Sequence, residues 1–267
     1  MSGLAPLTVR EIKKWYRNPV YLIVGLLQPV FWIILFGSAF DISKFGGPFV
    51  SSFFDGAPDY ITYMIGGILT ITGLFTGMFS GINIIWDRRL GILQRFLVSP
   101  IKRSSIVFSR IIASVVRIIV QVVILIAIAL IIPDGLKISH SFTIIDALLM
   151  VAAVLMISFI FSSIFSIIAI RMTRMETIMG ITNLVNLPLM FASYALFPPD
   201  LMVSWLSDVA KYNPVSWSAE SIRLLIIYGN LSGSQISTFA SYMIYLFILT
   251  VIMILLVYFV SESGIKE

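Results

Sequence analysis

The stretch DRRLGILQRFLVSPIKRSSIVFSR, residues 87–110, is the only long charged segment that lies between two strongly apolar ones. Six basic residues stand in it against a single acid, Asp87. Between two membrane spans, such a basic loop stays on the cytoplasmic side because Lys and Arg resist translocation. Its residues 90–98 also place leucines and Phe96 at helical spacing. This spacing predicts a short amphipathic helix beneath the membrane, available to a soluble partner.

The composition of the chain is that of a membrane protein. Of its 267 residues, 59% are hydrophobic and only 12% are charged, and the mean hydropathy is +1.02. Soluble domains carry about 25% charged residues. The chain has no Cys and a single His, His140, so the sequence offers no disulfide, no thiol chemistry and no Cys or His cluster for a metal. We therefore predict no metal site.

Six apolar segments approach the ~20 residues that a helix needs to cross a bilayer. They are residues 20–40, 60–86, 106–132, 143–170, 178–197 and 237–260. An even number of crossings puts both termini on one side, together with the 87–110 loop. That side then holds 14 of the 18 Lys and Arg residues, which predicts that both termini are cytoplasmic. We predict an all-α membrane protein of six transmembrane helices, and this topology explains the net charge of +5 without a nucleic-acid partner.

Residues 1–19 form a basic segment with apolar residues at helical spacing. Ile12, Trp15 and Tyr16 fall on one face, and Asn18-Pro19 ends the pattern. An amphipathic helix at the membrane interface is the preferred interpretation, and a basic tail without such a role is the alternative. The remaining residues, 20–267, make up the six-span transmembrane domain.

Small and polar residues interrupt several of the predicted spans. Gly73, Gly77 and Gly81 recur every four residues, which favours close packing against another helix of the same chain, with a dimer or gate seam as the alternative. Arg117 lies near the cytoplasmic end of the third span, where snorkelling to the interface explains it, with a functional salt bridge as the alternative.

The connection between the fifth and sixth spans is too apolar for a solvated loop. It predicts two short re-entrant helices within about residues 200–229, on the outer side of the membrane. Asn213-Pro214 supplies the start of the second, with Asn as the cap and Pro at the first helical position. Glu220 and Arg223 are three residues apart on this helix, so they can pair. A structural pair is the preferred interpretation, and a substrate contact is the alternative.

Four segments of the chain are similar to the permease subunit of type-2 ABC exporters, particularly the daunorubicin-resistance-like branch. They are the basic helix before Asn18-Pro19, LLQPVFWIILFG at 26–37, the 87–110 segment, and NPVSWSAESIR at 213–223. The resemblance implies that two copies of this chain, a homodimer, assemble with two copies of an ABC ATPase subunit. The chain itself has no GxxxxGK[ST] phosphate loop, so we predict no enzyme activity and no cofactor here, and expect ATP and Mg in the partner ATPase.

The resemblance also implies roles for particular residues. The cytoplasmic coupling loop, residues 87–105, would transmit motion from the ATPase through Asp87, Arg88, Arg89, Gly91, Leu93, Arg95, Phe96 and Pro100. An outer gate would consist of Asn213, Pro214, Glu220 and Arg223.

The resemblance further implies a substrate path lined by the first, second and fifth spans. Its candidate residues are Phe75, Phe79, Asn83, Asn183, Asn186 and Phe191. Buried amides in a membrane need partners or a wet cavity, and the apolar remainder suits an amphipathic, lipid-like or drug-like substrate exported across the cytoplasmic membrane. Lipid-linked glycan or peptide export remains an alternative, as does a secondary transporter or a membrane scaffold.

Overall fold

The structure is a computed structural model that describes residues 3–39, 54, 56–99, 101–132, 135–172 and 174–264. These residues form ten α-helices and one short 3-10 helix, Pro199–Leu201. The helices are α1 (Leu4–Tyr16), α2 (Pro19–Ala39), α3 (Tyr60–Arg89), α4 (Ile92–Leu97), α5 (Arg103–Ile131), α6 (Ile144–Arg171), α7 (Met175–Phe191), α8 (Ser204–Ala210), α9 (Pro214–Tyr228) and α10 (Ser234–Gly264).

Four of these helices, α3, α5, α6 and α10, are long and apolar enough to cross a membrane. The predicted all-α membrane class is thus confirmed. The described apolar part of α2 is shorter, Leu22–Leu35, and α7 has 17 residues. Six crossings and their direction therefore stay a prediction. The predicted end of the fifth span at residue 197 is wrong, because α7 ends at Phe191, three residues after Pro188.

Helix α3 is the centre of the bundle, and most of its 30 residues are buried. Its start is capped by Asp59, whose carboxylate accepts a hydrogen bond from the Thr62 backbone N–H at 2.7 Å. Its predicted glycine ridge faces α6. A Cβ on Gly77 or Gly81 would collide with backbone atoms of α6, so the two helices are in direct backbone contact. The intramolecular interpretation of this ridge is confirmed.

Different parts of the chain lie at the two ends of the bundle. At one end lie α1, α4 and the first residues of α5, and Glu262 near the end of α10 accepts a hydrogen bond from the Ser104 backbone N–H at 3.2 Å. At the other end, Lys137 pairs with Asp59 at 3.3 Å. There the Ser139 N–H also donates to the Ile226 carbonyl at 3.0 Å. Both terminal helices therefore reach the end that holds the basic loop.

Candidate functional site

The elbow, residues 87–105, joins α3 to α5 through the short helix α4. At its start, Asp87 is only 1% exposed and forms an ion pair with buried Arg110 of α5. Arg10 and Lys14 of α1 approach the same carboxylate at 3.8 and 4.0 Å. Asp87 therefore positions α1, α3 and α5 against one another. Its burial assigns Asp87 a positioning role inside the chain, and its predicted part in coupling stays a prediction.

Helix α4 is shorter than the predicted 90–98 segment and presents a different face. Gly91 adopts a left-handed conformation with φ of 68°, which lets the chain reverse between α3 and α4. Leu93 is 3% exposed and packs with Leu7 of α1 and Ile106 of α5. Phe96 is half-buried beneath the Arg10 guanidinium, 5.0 Å from its ring centroid. The prediction that Leu93 faces a soluble partner is wrong, because α1 covers that face.

The exposed surface of the elbow consists of other residues. Leu90 is 63% and Val98 is 88% exposed, and Gln94 and Arg95 are exposed as well. We call Leu90, Gln94, Arg95 and Val98 the elbow surface. Pro100, another predicted coupling residue, lies outside the described residues. The large apolar side chains that the elbow exposes are thus Leu90 and Val98 rather than Leu93.

The two arginines that precede the elbow's turn have separate partners. Arg88 donates to the carbonyls of Met172 at 2.6 Å and Ile170 at 2.9 Å. These hydrogen bonds supply donors for carbonyl groups that the C-terminal end of α6 leaves without a partner in the helix. Exposed Arg89 pairs with Glu176 at 3.3 Å. A backbone hydrogen bond and then the Arg89 guanidinium lower the pKa of that Glu176 carboxyl. Both arginines therefore join the end of α3 to the α6–α7 connection.

A cavity of about 550 Å³ lies beside α3, between α1, α2 and α5. We call it the lateral cavity. Three of the predicted path residues line it, namely Phe75, Phe79 and Asn83, together with tryptophans of three helices, Trp15, Trp32 and Trp86. Its walls are largely apolar and aromatic, as predicted for the substrate path.

The other three predicted path residues do not line this cavity. Asn183 is exposed and Phe191 is 45% exposed on the surface of the chain. Asn186 is half-buried, and its side-chain oxygen has no hydrogen-bond partner in the part of the chain that the structure describes. From α7, Met179 alone reaches the cavity lining. Because α7 packs lightly on α3 in the single chain, the grouping of these three residues with Phe75 and Phe79 in one path stays a prediction.

Polar side chains form a row along the cavity wall between α3 and α5. Arg117 donates to the Ala113 carbonyl at 3.2 Å and to Ser80 Oγ at 2.9 Å. One turn further along α5, Gln121 accepts a hydrogen bond from Thr76 Oγ1 at 2.6 Å. Arg117 is therefore held inside the bundle at the cavity. Its acceptor Ala113 lies one turn towards the elbow end of the helix, which is the direction that snorkelling requires, so that interpretation stays a prediction.

Helix α9 is attached to the end of α7 by its own cap. The Asn213 side-chain oxygen accepts from the Val215 N–H at 2.9 Å, and Pro214 occupies the first helical position, as predicted. The Asn213 amide also donates to the carbonyls of Leu189 at 2.9 Å and Ala192 at 2.7 Å. One side chain thus starts α9 and satisfies carbonyls that the end of α7 leaves open.

Arg223 of α9 is 1% exposed and directs its donors into the bundle. It pairs with Glu220, donates to the carbonyls of Tyr63 at 3.1 Å and Tyr194 at 2.9 Å, and lies over the Tyr63 ring at 3.6 Å. The structural interpretation of the Glu220–Arg223 pair is therefore the one that this geometry supports. Sequence reasoning missed Tyr63, because a partner 160 positions away leaves no local signal.

These features define a multi-pass, all-helical membrane protein whose two bundle ends are locked by buried ion pairs. The model of the family described as ABC-2 type transporter matches residues 4–227. The chain belongs to this family.

Relatives support the same assignment. The ycf38 proteins, which carry the provisional name of transport permease, are 32% identical in Cyanophora paradoxa, over 78% of this chain and 69% of that protein. In Porphyra purpurea the identity is 30%, over 86% of this chain and 75% of the relative. The daunorubicin resistance ABC transporter permease protein DrrB1 of Streptomyces coeruleorubidus is 23% identical, over 81% of this chain and 72% of its own length.

Proposed function

We propose that this ABC-2 permease is the membrane gate of an ATP-driven exporter, powered by a separate ATPase subunit that presses on the elbow. The observation that carries the proposal is the elbow surface. Two large apolar side chains, Leu90 and Val98, are exposed together with cationic Arg95. The start of the elbow is held in place by the buried Asp87–Arg110 ion pair. An apolar centre with an Arg beside it is the composition of a protein–protein contact.

The partner is an ABC ATPase present in two copies, which supplies ATP and Mg, and the permease acts as a homodimer in the cytoplasmic membrane. The excess of Lys and Arg at the elbow end supports a cytoplasmic elbow. The apolar and aromatic lateral cavity supports an amphipathic, lipid-like or drug-like substrate. Motion of the elbow changes transport only if ATPase-bound and free states differ in free energy.

Co-purification tests the ATPase contact. Val98→Asp places a carboxylate on the elbow surface, and Val203→Asp places one on an equally apolar, exposed position at the opposite end of the bundle. We expect Val98→Asp to weaken binding of the ATPase at least tenfold, or about 1.4 kcal/mol, because a charge loses its hydration at an apolar contact. Val203→Asp should bind as the wild type does. Equal binding by both variants would remove the elbow surface from the interface.

The absence of Cys from the chain makes its sidedness directly measurable. Arg95→Cys labels the elbow, and Asp208→Cys labels exposed helix α8 at the other end. With intact cells and a membrane-impermeant maleimide, we expect only Asp208→Cys to react, and Arg95→Cys to react after the membrane is opened. Reaction of Arg95→Cys in intact cells would reverse the proposed topology.

A further inference from the structure

The lateral cavity carries more positive charge than its carboxylates neutralise. Each nearby acid is already held by an arginine, since Glu11 pairs with Arg10 at 2.8 Å and Asp87 pairs with Arg110. Two further cations line the cavity: half-exposed Lys14 at its mouth and Arg117 deeper inside. Lys14 has only a marginal contact with Asp87 at 4.0 Å, and no described carboxylate forms an ion pair with Arg117.

Arg117 is therefore a cation held inside the bundle by neutral acceptors. Its guanidinium stays protonated and has no acceptor capacity of its own, so only an anion or more oxygen acceptors complete its environment. In a membrane-spanning helix such a charge is expensive unless it is paired or lines a wet cavity. Arg117 meets the second condition, because its guanidinium lies on the cavity wall.

Charged side chains lie at one end of the cavity. They are Arg117, Lys14 and Glu11, and Glu11 is the one that Arg10 already pairs with. Towards the middle of α3 the lining residues are uncharged, and the rings of Phe75 and Phe79 stack on this wall with centroids 6.3 Å apart. The polar side chains in that part include Thr76 and Gln121, which bond to each other. The cavity thus has a net positive charge at the elbow end and no charged group beyond it.

We propose that the lateral cavity binds an anionic amphiphile, with its phosphate or carboxylate against Arg117 and Lys14 and its apolar body along α3. The inference rests on the proposed exporter function, since it names the class of substrate. With the elbow end at the cytoplasm, the bound molecule has the orientation of a lipid of the inner leaflet, so it enters without turning over. The volume of about 550 Å³ lies within the range of small-molecule sites. The same charges oppose a cationic amphiphile.

Binding is measured on the purified full chain in zwitterionic lipid discs, without ATPase or nucleotide. Three of the five tryptophans line the cavity, so brominated amphiphiles that enter it quench their fluorescence. The probes are brominated phosphatidate, a brominated fatty acid, brominated phosphatidylcholine and a brominated alkyl-trimethylammonium. We expect saturable quenching by one or both anionic probes, and the stronger of these two identifies the headgroup. Equal saturable quenching by the zwitterionic or cationic probe overturns the proposal.

Substitutions at the cavity test whether the positive charge of a side chain, rather than its packing, is needed for binding. Arg117→Gln should weaken binding of the anionic probe about tenfold, whereas Arg117→Lys, which retains a cation, should keep most of it. If Arg117→Gln does not fold, Lys14→Gln at the half-exposed mouth provides the test. Exposed Lys13, the next residue on α1, does not line the cavity, so Lys13→Gln is the matched control and should bind as the wild type does.

Equal binding by Lys13→Gln and both Gln variants overturns the proposal. This binding measurement uses no ATPase. Its outcome therefore does not depend on whether the export or co-purification experiments succeed.

Discussion

The sharpest test of the packing is Gly81→Ala at the contact between α3 and α6. A Cβ at position 81 would lie 2.6 Å from the backbone N of Ser166 and 2.8 Å from the backbone carbonyl carbon of Phe165. Ordinary van der Waals contact begins at 3.4 Å, so the shortfall is 0.8 Å. Backbone atoms of α6 cannot rotate out of the way, so the two helices must move apart by about that distance.

The energetic cost follows from this separation. A gap of about 0.5–1 Å removes a quarter to a half of each dispersion contact that it affects, and overpacking of this kind costs about 1–3 kcal/mol. Replacing Gly by Ala in a helix returns about 0.5–1 kcal/mol. We expect Gly81→Ala to lower the free energy of unfolding by about 1–2 kcal/mol. For a chain of this size, that is a fall in Tm of about 2–8 °C.

The measurement is thermal unfolding in detergent. Its readout is the fraction of protein that stays monodisperse on size exclusion after heating. Gly180→Ala in α7 is the matched control, because nothing lies within 4 Å of the added Cβ. Its Tm should stay unchanged or rise slightly. If Gly81→Ala is as stable as Gly180→Ala, the direct backbone contact between α3 and α6 is refuted.

Three further substitutions test the buried polar contacts, again by thermal unfolding in detergent. Asp87→Asn should cost about 3–5 kcal/mol, because it leaves Arg110 buried without a carboxylate. Arg89→Gln, which breaks an exposed pair, should leave Tm almost unchanged. Asn213→Ala should cost about 1–2 kcal/mol through the lost cap, with faster hydrogen exchange at the start of α9 as its signature. Arg223→Met should lower Tm more than Arg89→Gln does. Equal Tm values for the buried and exposed variants would contradict this order.

Local signals in the sequence predicted the elements that depend on neighbours along the chain. Asn213-Pro214 marks the start of a helix by its own chemistry, and the structure begins α9 at Pro214. The spacing of Glu220 and Arg223 was likewise enough to predict their pair. The four longest helices follow from runs of apolar residues, which need no tertiary information.

Tertiary contacts decided what the sequence left open. The periodicity around Leu93 identified an apolar face correctly, but the same pattern fits a face covered by a partner or by another helix. Leu7, about 85 positions earlier, covers it. For Asp87, no local pattern indicated its partners, because its three cationic neighbours lie on two other helices. Such long-range pairing leaves no periodic trace in one sequence.

Half of the predicted substrate path stays a prediction for a related reason. Asn183, Asn186 and Phe191 were grouped with Phe75 because the resemblance placed the second and fifth spans around one opening. Within a single chain, α7 contributes little to the bundle, and its faces are largely exposed. The unpartnered Asn186 oxygen shows where this surface still lacks a polar contact. A path that uses α7 therefore needs a second copy of the chain opposite it.

The contacts of α3 also locate the moving part of the proposed gate. Its glycines meet the backbone of α6, and Gly66 comes close to the backbone of α9, so no compressible layer of side chains separates these helices. Buried ion pairs fix both ends, at Asp87 and at Arg223. A force applied at the elbow therefore moves α3, α6 and α9 together. Since α2 borders the lateral cavity and α7 packs lightly, we propose that an opening for substrate forms where this rigid block meets α2 and α7.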